Sequence, residues 1–412
     1  MNPSSITILI APVGKQPMPI LLPILEYAPA ATYLIVTEEV RDVAEKVRDV
    51  ARQCERQVRI VEAVNPYLAP QTLQRCQEIV ARLPAGQTAT VNLSGGTTMM
   101  ALGARQAAHE LQLPMLYVNT DGGEIIHLAS DGVELHRDPI ASKLTVALYA
   151  AAHGATSGVK DKWSTGWDGI GRWAQGLALV EPYLRVARAL GRAGSASAPL
   201  LNTIREKIAG VFDLGNLAPP QAALLTLLAE TGFIVADPVA PGSYRIGTRH
   251  PHTRGFLEGH WLELYVADAC KQSGWFDDVR CSVKLQRNEQ QHPIINELDV
   301  IVTLQGRMAA LSCKTGKELM LRENQDKDQD KNQDKNQDKD KRKLAIYELA
   351  ALLQADLMGL YARKVLVTNQ DLINQDLRNR AYYGQICCVT GPRLGEVAEI
   401  VLAHLHEPQL GI

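Results

Sequence analysis

The chain has 412 residues, a formal net charge of −2 at pH 7 and an apolar fraction of 46%. Because this length exceeds what one hydrophobic core usually supports, we expect two or three domains. The balanced charge excludes an overall basic field, so nucleic-acid binding would require a local basic patch. Seven cysteines without a CxxC pair argue against a disulfide framework or a zinc knuckle. Without a signal peptide or an apolar run of membrane-spanning length, we expect a soluble cytoplasmic protein.

The first third of the chain, residues 1–148, alternates β-branched segments with helical segments, as α/β folds do. The predicted strands are Ile6–Ala11, Ala31–Val36, Val58–Val61, Thr88–Leu93 and Met115–Val118. The predicted helices are Glu39–Cys54, Pro70–Leu83 and Thr97–Leu111. This order predicts a doubly wound, Rossmann-like parallel sheet, followed by a hairpin through Glu124–Leu128 and Val133–His136.

A Gly-Gly pair lies where the fourth predicted strand meets a helix, in the segment NLSGGTTMM at residues 92–100. Glycines let a ligand approach the backbone, and the free N–H groups of a helix start favour a phosphate. Ligands of such sheets bind beyond the carboxyl ends of the strands, where the loops after the first two strands also lie. No Walker loop or GxGxxG fingerprint is present. The predicted ligand-binding residues are Val13, Gly14, Lys15, Thr37, Ser94, Gly95, Gly96, Thr97 and Thr98.

Residues 149–250 include a stretch rich in Ala and Leu, and we interpret this region as a helical connector. Its last predicted helix is Pro219–Thr231, and the Pro/Gly-punctuated segment Phe233–Gly247 predicts a hairpin. A helix followed by a hairpin leaves a small winged-helix module open as the alternative.

The last third, residues 251–412, is again mixed α/β. The predicted elements are helix Arg254–Lys271, strands near Val279–Leu285, Ile295–Thr303 and Met308–Cys313, helix Lys343–Met358 and strand Lys364–Thr368. A low-complexity repeat of Asn, Gln, Asp and Lys interrupts them at residues 324–341. It has no apolar residue to bury and its charges nearly balance, so we interpret it as a solvated insertion.

Charged side chains recur at two-residue spacing on two neighbouring predicted strands of this last third. Glu297 and Asp299 lie in ELDVIV, and Ser312 and Lys314 lie in LSCKTG. Residues two apart on a strand share a face, and the short segment TLQGR between the strands predicts a hairpin turn. Pairing the strands would bring both carboxylates beside Lys314, and Glu263 on the preceding helix is available to complete the site.

Clustered carboxylates with one lysine are what metal-assisted phosphodiester cleavage requires. Carboxylates hold a hard cation, Mg²⁺ or Mn²⁺, which polarises a phosphoryl oxygen and lowers the pKa of a bound water. The lysine orients that water and neutralises the developing charge. We therefore predict Glu263, Glu297, Asp299 and Lys314 as catalytic residues. The alternative interpretation is that the two strand carboxylates only line a solvent-facing edge.

The series GHWLELYV, NELDVIVTLQGRMAALSCKTG, YELAALLQADLMG and KVLVT resembles the PD-(D/E)xK nuclease domain of CRISPR ancillary effectors, over roughly Phe256–Thr368. The resemblance implies a restriction-endonuclease-like αβββαβ core. It also implies that Asp299 is the metal-binding motif aspartate, Lys314 the motif lysine and Glu263 the acidic residue of the preceding helix.

One departure from that motif concerns the metal ligands. The family has an acidic residue two positions before the lysine, where this chain has Ser312. A hydroxyl is a poorer ligand for a hard divalent cation than a carboxylate is. We expect Glu297 to supply the missing carboxylate and the main-chain carbonyl of Cys313 to serve as a further metal ligand.

The segment NLSGGTTMMALGA resembles the signature of CARF domains, in which Gly-Gly-Thr is commonly followed by lysine. Thr98 stands at that lysine's position, and Lys15 is our candidate to restore the charge. The resemblance implies a ligand-sensing CARF domain over residues 1–148 and a homodimer that holds a symmetric cyclic oligoadenylate across its two-fold axis. Cyclic tetra-adenylate is the expected activator because a four-fold ring contains that two-fold axis.

These features predict a cyclic-oligoadenylate-activated, metal-dependent nuclease of type III CRISPR antiviral defence. It would cleave DNA or RNA with little sequence preference and would not act at a membrane. Two alternatives stay open. A ligand-responsive transcription regulator would combine a winged helix at residues 219–247 with an inactive nuclease-like domain. A nucleotide-using enzyme would have its active site at residues 94–98.

Overall fold

The computed structural model describes residues 6–155, 160–161, 177–197, 201, 212–214, 219–241, 243–248, 255–289, 292–315, 359, 361–370 and 375–407. Within them the chain forms three β-sheets of seven, three and six strands. The α/β class predicted from the sequence is therefore confirmed. The seven cysteines, all inside the described ranges, are free thiols.

Strands and helices alternate through the N-terminal part of the chain. The elements are β1 (Ile8–Pro12), α1 (Met18–Tyr27), β2 (Ala31–Ile35), α2 (Arg41–Gln53), β3 (Val58–Ile60), α3 (Ala69–Ala81), β4 (Ala89–Asn92), α4 (Thr98–Glu110), β5 (Met115–Asn119), β6 (Glu124–Leu128), β7 (Glu134–Pro139) and α5 (Val146–Ala152). The strand order is β3-β2-β1-β4-β5-β6-β7, with the first five parallel and the final hairpin antiparallel. The predicted parallel sheet and its hairpin are both present.

Helix α1 is the main element of this region that the sequence analysis did not predict. It contains Pro19 and Pro23, and the residue before it is Pro17, a composition that argues against a helix. Pro23 has no N–H to donate to the carbonyl of Pro19, four residues earlier. The side-chain amide of Asn92 donates to that carbonyl instead, at 2.9 Å. The helix persists because its buried face packs in the core and because Asn92 satisfies the orphaned acceptor.

The middle of the chain adds a second small sheet and two helices. Its described elements are β8 (Lys160–Asp161), α6 (Leu177–Ala193), β9 (Phe212–Leu214), α7 (Pro219–Glu230), β10 (Ile234–Ala240) and β11 (Ser243–Thr248). Helix α7 and the following hairpin agree with the predicted elements, and β9 extends the hairpin to three strands. Leu190, Leu225 and Phe233 pack in one core with Trp261 and Leu262 of the C-terminal part. The winged-helix interpretation stays a prediction.

The C-terminal part is built on a mixed six-stranded sheet. A π-helical turn, Phe256–His260, leads into α8 (Trp261–Ser273), β12 (Asp278–Glu289), β13 (His292–Leu304), β14 (Arg307–Lys314), β15 (Ala362–Thr368), α9 (Gln375–Tyr383), β16 (Ile386–Val389) and α10 (Val397–His406). The order is β16-β15-β14-β13-β12-β8, with β14, β15 and β16 parallel and the rest antiparallel. The helix and three strands predicted before the insertion are present. The predicted helix at 343–358 and the insertion at 324–341 lie outside the described residues.

A tight turn joins β13 to β14 and sets their register. Gln305 and Gly306 have φ values of 51° and 75°. Two successive residues with positive φ are typical of a type I′ hairpin, whose twist matches that of the strands. A Cβ atom at Gly306 would lie 2.5 Å from the Leu22 side chain, so the turn packs directly on α1.

The N-terminal and C-terminal sheets share one hydrophobic core. Ile301 and Met308 pack in the same cluster as Leu144 and Tyr149. The Thr303 hydroxyl donates to the Leu144 carbonyl at 2.6 Å. A charged contact lies beside this core: the buried Arg363 donates to the Asp121 carboxylate at 3.1 Å. The two halves are therefore joined by both apolar and polar contacts.

Among the residues described, none of the helices combines the length and apolarity needed to cross a membrane.

Candidate functional site

The carboxylate of Asp299 and the ammonium of Lys314 lie side by side on neighbouring strands. Val300 of β13 pairs with Leu311 of β14, so the strand register sets Asp299 next to Ser312. Asp299 Oδ2 is 3.7 Å from Lys314 Nζ. The predicted proximity of the two residues is confirmed, and their catalytic roles stay a prediction.

Two further donors from β14 hold the Asp299 carboxylate. The Cys313 N–H donates to Oδ2 at 2.7 Å, and the Ser312 hydroxyl lies 3.4 Å from the same oxygen. Ser312, which replaces the motif acid, thus points at the neighbouring carboxylate. In an extended strand the N–H and C=O of one residue point to the same side. The Cys313 carbonyl is therefore directed toward β13, as its predicted role as a metal ligand requires.

Glu263 reaches the same region from the first turn of α8. It accepts a hydrogen bond from the Ser282 hydroxyl of β12 at 2.6 Å. The π-helical turn before α8 is a local distortion of the kind that often accompanies functional sites.

The buried thiol of Cys313 lies near the carboxylates of Asp299 and Glu263. Burial raises the pKa of Cys313 well above its usual range, and the charges of Asp299 and Glu263 raise it further. Cys313 therefore remains a neutral thiol. Both carboxylates therefore lie close enough to this buried thiol for their charges to act on it.

The oxygen donors at this point fit a hard divalent cation. The carboxylates of Asp299 and Glu263 and the Cys313 carbonyl are the ligand types that Mg²⁺ and Mn²⁺ prefer. Glu297 lies on β13 opposite Lys284 of β12. Its side chain is outside the described part of the structure, so its predicted role as an additional carboxylate stays a prediction.

Two polar groups that border the site were not predicted from the sequence. Ser282 has no motif around it that would indicate its contact with Glu263. Gln370 follows β15 and is buried, and its amide donates to the Thr315 carbonyl at 3.3 Å, just after Lys314. The polar pair Asn369–Gln370 directly after the predicted strand Lys364–Thr368 was the available signal for this second group.

The predicted ligand-binding loops meet at the carboxyl ends of β1 and β4. A Cβ atom at Gly14 would lie 3.0 Å from the Gly96 nitrogen, and one at Gly95 would lie 2.1 Å from the Pro12 carbonyl oxygen. Gly96 has a φ of 79°. These glycines are therefore needed for the close approach of the two loops. Val13, next to Gly14, donates its N–H to the Ile35 carbonyl of β2, which fixes the start of this loop to the sheet.

The hydroxyl groups of the β4–α4 loop are mostly engaged within the protein. The Thr97 hydroxyl donates to the Pro66 carbonyl and accepts from the Met100 N–H, so Thr97 is the N-cap of α4. The Ser94 hydroxyl accepts from the Val118 N–H at 2.6 Å. Thr98 and Lys15 are exposed at this edge, and Thr37 is buried.

A histidine pair that the sequence analysis did not predict lies on the hairpin of β6 and β7. The rings of His127 and His136 stack with centroids 4.2 Å apart and an angle of 9° between planes. Asp138 Oδ2 is 3.0 Å from His127 Nε2, and the Tyr27 hydroxyl donates to the same oxygen at 3.0 Å. Parallel rings cannot aim their in-plane lone pairs at one ion, so we interpret the group as a hydrogen-bonded cluster. Burial, followed by the neighbouring His136, lowers the pKa of His127.

Comparison with known families finds one match, in the C-terminal part of the chain. Residues 251–406 match the family model described as Card1-like, endonuclease domain. This part of the chain is therefore similar to a Card1-like endonuclease domain. Glu263, Asp299 and Lys314 all lie inside the match to this Card1-like domain. No curated protein sequence matches the chain significantly.

Two solved structures share the fold of nearly the whole chain, including the Card1-like domain. Protein VC1899 from Vibrio cholerae superposes with a TM-score of 0.71 at 17% identity, covering 96% of this chain and 97% of that one. Can2 from Sulfobacillus thermosulfidooxidans, in complex with cyclic tetra-adenylate, superposes with a TM-score of 0.69 at 17% identity, covering 98% of each chain. At these identities the likeness establishes the fold.

Proposed function

We propose that this protein is a metal-dependent nuclease gated by a cyclic oligoadenylate, and that it serves type III CRISPR antiviral defence as a homodimer. The observation that carries the proposal is the Asp299 carboxylate, held by the Cys313 N–H beside the Lys314 ammonium within a Card1-like endonuclease domain. The substrate is DNA or RNA. We expect little sequence preference because no base-reading motif is evident in the sequence.

The chemistry follows from the charges at the site. Asp299, Glu263 and the Cys313 carbonyl would hold Mg²⁺ or Mn²⁺. When bound, such an ion polarises a phosphoryl oxygen and lowers the pKa of a water. Lys314 neutralises the negative charge that develops on the phosphate as the water attacks. The Cys313 N–H and the Ser312 hydroxyl hold the Asp299 carboxylate in one orientation. The carboxylate is therefore preorganised before the reaction begins.

The ligand-binding edge of the N-terminal sheet suits an anionic ring. The glycine-rich loop leads into the start of α4, and the start of a helix favours a phosphate. Can2, which shares the fold, carries cyclic tetra-adenylate in its structure. We therefore take cyclic tetra-adenylate as the first candidate activator. Lys15 supplies a positive charge at this edge where the family's signature lysine is replaced by Thr98.

An exposed apolar patch next to this loop supports a dimer. Tyr67, Leu68, Met99 and Leu102 are 73%, 47%, 38% and 51% exposed. The loop and the patch are joined by the hydrogen bond from Thr97 to Pro66. Contiguous apolar surface beside a binding site is typical of a protein interface. A second copy of the chain placed there would enclose a ring between two identical loops.

A chain of contacts connects the ligand loop to the catalytic strands. Ser94 in the loop accepts from Val118, and two residues after β5 the main-chain oxygen of Asp121 accepts from Arg307. Arg307 begins β14, and Lys314 ends it. We infer that a ligand which shifts the loop shifts the population of cleavage-competent arrangements of β14.

The test incubates the protein with Mn²⁺, mixed DNA and RNA, and a panel of cyclic oligoadenylates. We expect cleavage that requires both the metal and one ring size. Lys314→Ala should lose at least about 100-fold in rate, as removal of a charge-stabilising group does. Lys271→Ala is the control, because Lys271 lies exposed in the last turn of α8. A Lys314→Ala protein that cleaves at the wild-type rate would refute the assignment.

Ser312 supports a second candidate, a ligand-responsive transcription regulator with an inactive nuclease-like domain. The motif acid is absent, and the helix–hairpin unit of α7, β10 and β11 is the predicted winged helix. Sequence-specific binding of duplex DNA without cleavage, in the presence of Mn²⁺ and every ring tested, would favour this candidate. Loss of that binding in Arg245→Ala, a substitution at an exposed residue of β11, would locate the DNA-reading module.

A further inference from the structure

Ser282 has an unusual backbone for its position. It lies within β12, is 3% exposed and has a φ of 52°. Residues with a Cβ atom rarely adopt this left-handed conformation, and serine is not among those that tolerate it well. Such strain persists where the surrounding structure requires it, and it concentrates at functional sites. The conformation therefore calls for a local explanation.

At Ser282, the side chains of the paired strands β12 and β13 pass from one hydrophobic core to another. Cys281 and its partner Val300 pack in the core of α8, whereas Val283 and its partner Leu298 pack in the core shared with the N-terminal sheet. In a regular strand, residues two apart share a face. Ser282 lies between the two bridges, opposite Asp299, so both strands change sides where the candidate metal ligand is found.

The hydroxyl of Ser282 links this point to helix α8. Its distance to Glu263 Oε2 is 2.6 Å, the length of a hydroxyl–carboxylate bond strengthened by charge. The left-handed backbone is what turns the side chain away from regular strand geometry toward the helix. The strained backbone of Ser282 is therefore what allows its hydroxyl to bind the Glu263 carboxylate.

We propose that Ser282 is a positioning residue of the nuclease site, whose hydroxyl holds the Glu263 carboxylate in place beside Asp299 to receive the divalent ion. This inference rests on the proposed nuclease function. Ser282 would not contact the substrate. Its effect would appear in the affinity for metal and, through it, in the rate of cleavage.

The experiment compares Ser282→Gly and Ser282→Ala in the full chain. Both variants remove the hydroxyl, but only glycine relieves the backbone strain. We expect both to lose at least tenfold in cleavage at limiting Mn²⁺, with the half-saturating Mn²⁺ concentration raised several-fold. In the metal-free protein, Ser282→Gly should unfold at a higher temperature than Ser282→Ala. The control pair is Gln385→Gly and Gln385→Ala, at an exposed residue with a φ of 51°. It should show the same stability difference without a change in Mn²⁺ dependence.

Direct Mn²⁺ binding, followed by electron paramagnetic resonance, separates this inference from the proposed function. If the wild type cleaves and both Ser282 variants match its rate and its Mn²⁺ affinity, the inference is wrong and the function stands. If only Ser282→Gly lost cleavage rate and Mn²⁺ affinity, the effect would come from the backbone, and the proposed role of the hydroxyl would be wrong. If the wild type binds Mn²⁺ but never cleaves, weaker binding in both variants still supports the inference while the function fails. A wild type that neither binds Mn²⁺ nor cleaves would overturn both.

Discussion

Arg307 Nη1 donates to the main-chain oxygen of Asp121 at 2.8 Å, and this bond joins the first residue of β14, the strand that carries Lys314, to the N-terminal part of the chain. Arg307 is fully buried, and it also donates to the Leu405 carbonyl at 3.0 Å. Burial and the neighbouring Arg363 lower the pKa of Arg307 to about 10. The guanidinium thus acts as a charged junction between β14, the turn after β5 and the end of α10.

Arg307→Gln should destabilise the protein by about 3 kcal/mol, because buried main-chain carbonyls lose their donor and Gln cannot span the same distances. Urea unfolding measures the change. Arg393→Gln is the control, since Arg393 forms an exposed ion pair with Glu396. Its loss should lower the free energy of unfolding by less than about 1 kcal/mol. Equal unfolding midpoints for the two variants would contradict the role of Arg307 as a junction.

Asp299→Asn and Lys314→Ala should each lose at least about 100-fold in cleavage, and the double variant should lose little more. The two side chains act as one unit, because the Asp299 carboxylate lies against the Lys314 ammonium. Single-turnover rates with saturating ring and Mn²⁺ give the comparison. Strictly multiplicative losses would mean that the two residues act independently.

Thr98→Lys should tighten the binding of a cyclic oligoadenylate about fivefold, since it adds a positive charge at the exposed start of α4. The gain should shrink as the salt concentration rises. Calorimetric titration at low and high salt measures both effects. Gln106→Lys, on the same helix but away from its start, should change the affinity little. An unchanged affinity in Thr98→Lys would indicate that the ring does not bind at this edge.

Gly95→Ala should abolish ring binding and lower stability by about 2 kcal/mol, because the added Cβ would lie 2.1 Å from the Pro12 oxygen. Gly395→Ala is the matched control, since no atom lies within 4 Å of a Cβ built there. Thermal unfolding and ring binding are measured together. A Gly95→Ala protein with normal ring affinity would show that the loop contact does not shape the binding site.

Stability should fall as the pH drops below about 6.5, and His127 should contribute to that fall. Burial, followed by the neighbouring His136, lowers the pKa of His127 in the folded chain, so the unfolded chain takes up the proton more readily. The contribution of His127 is therefore complete above the unfolded pKa and is lost at more acidic pH. His127→Gln should show a flatter dependence of the unfolding temperature between pH 7.5 and 5, compared with His109→Gln as control. Parallel curves for both variants and the wild type would rule out this contribution.

Hydrophobic periodicity was sufficient to predict the parallel sheet, the final hairpin and the strands that carry Asp299 and Lys314. It failed at α1, where three prolines argued against a helix that tertiary contacts stabilise. Local propensity cannot anticipate that Asn92, some seventy residues later, satisfies the carbonyl of Pro19. Boundaries also shifted by one to three residues at β1 and β7, since the ends of elements are the least determined part of a prediction.

The candidate site was predictable from the sequence only where local strand pairing determines it. Asp299 and Lys314 lie on strands joined by a short turn, so their contact follows from register alone. Glu263 was a candidate because it lies on the preceding helix, and the resemblance to a family supported it. Nothing local relates that helix to the strands. Ser282 carries no signal in the sequence because its role depends on a left-handed backbone. Spatial pairs such as His127 and His136 require the exact register of a hairpin, which composition does not give.

The apolar core common to the two large sheets limits how the chain can be divided. A fragment ending near residue 148 would expose to water the side chains that now pack against Ile301 and Met308. It would also leave the main-chain oxygen of Leu144 without the Thr303 hydroxyl. We expect such a fragment to aggregate, so the N-terminal and C-terminal sheets form parts of one folding unit.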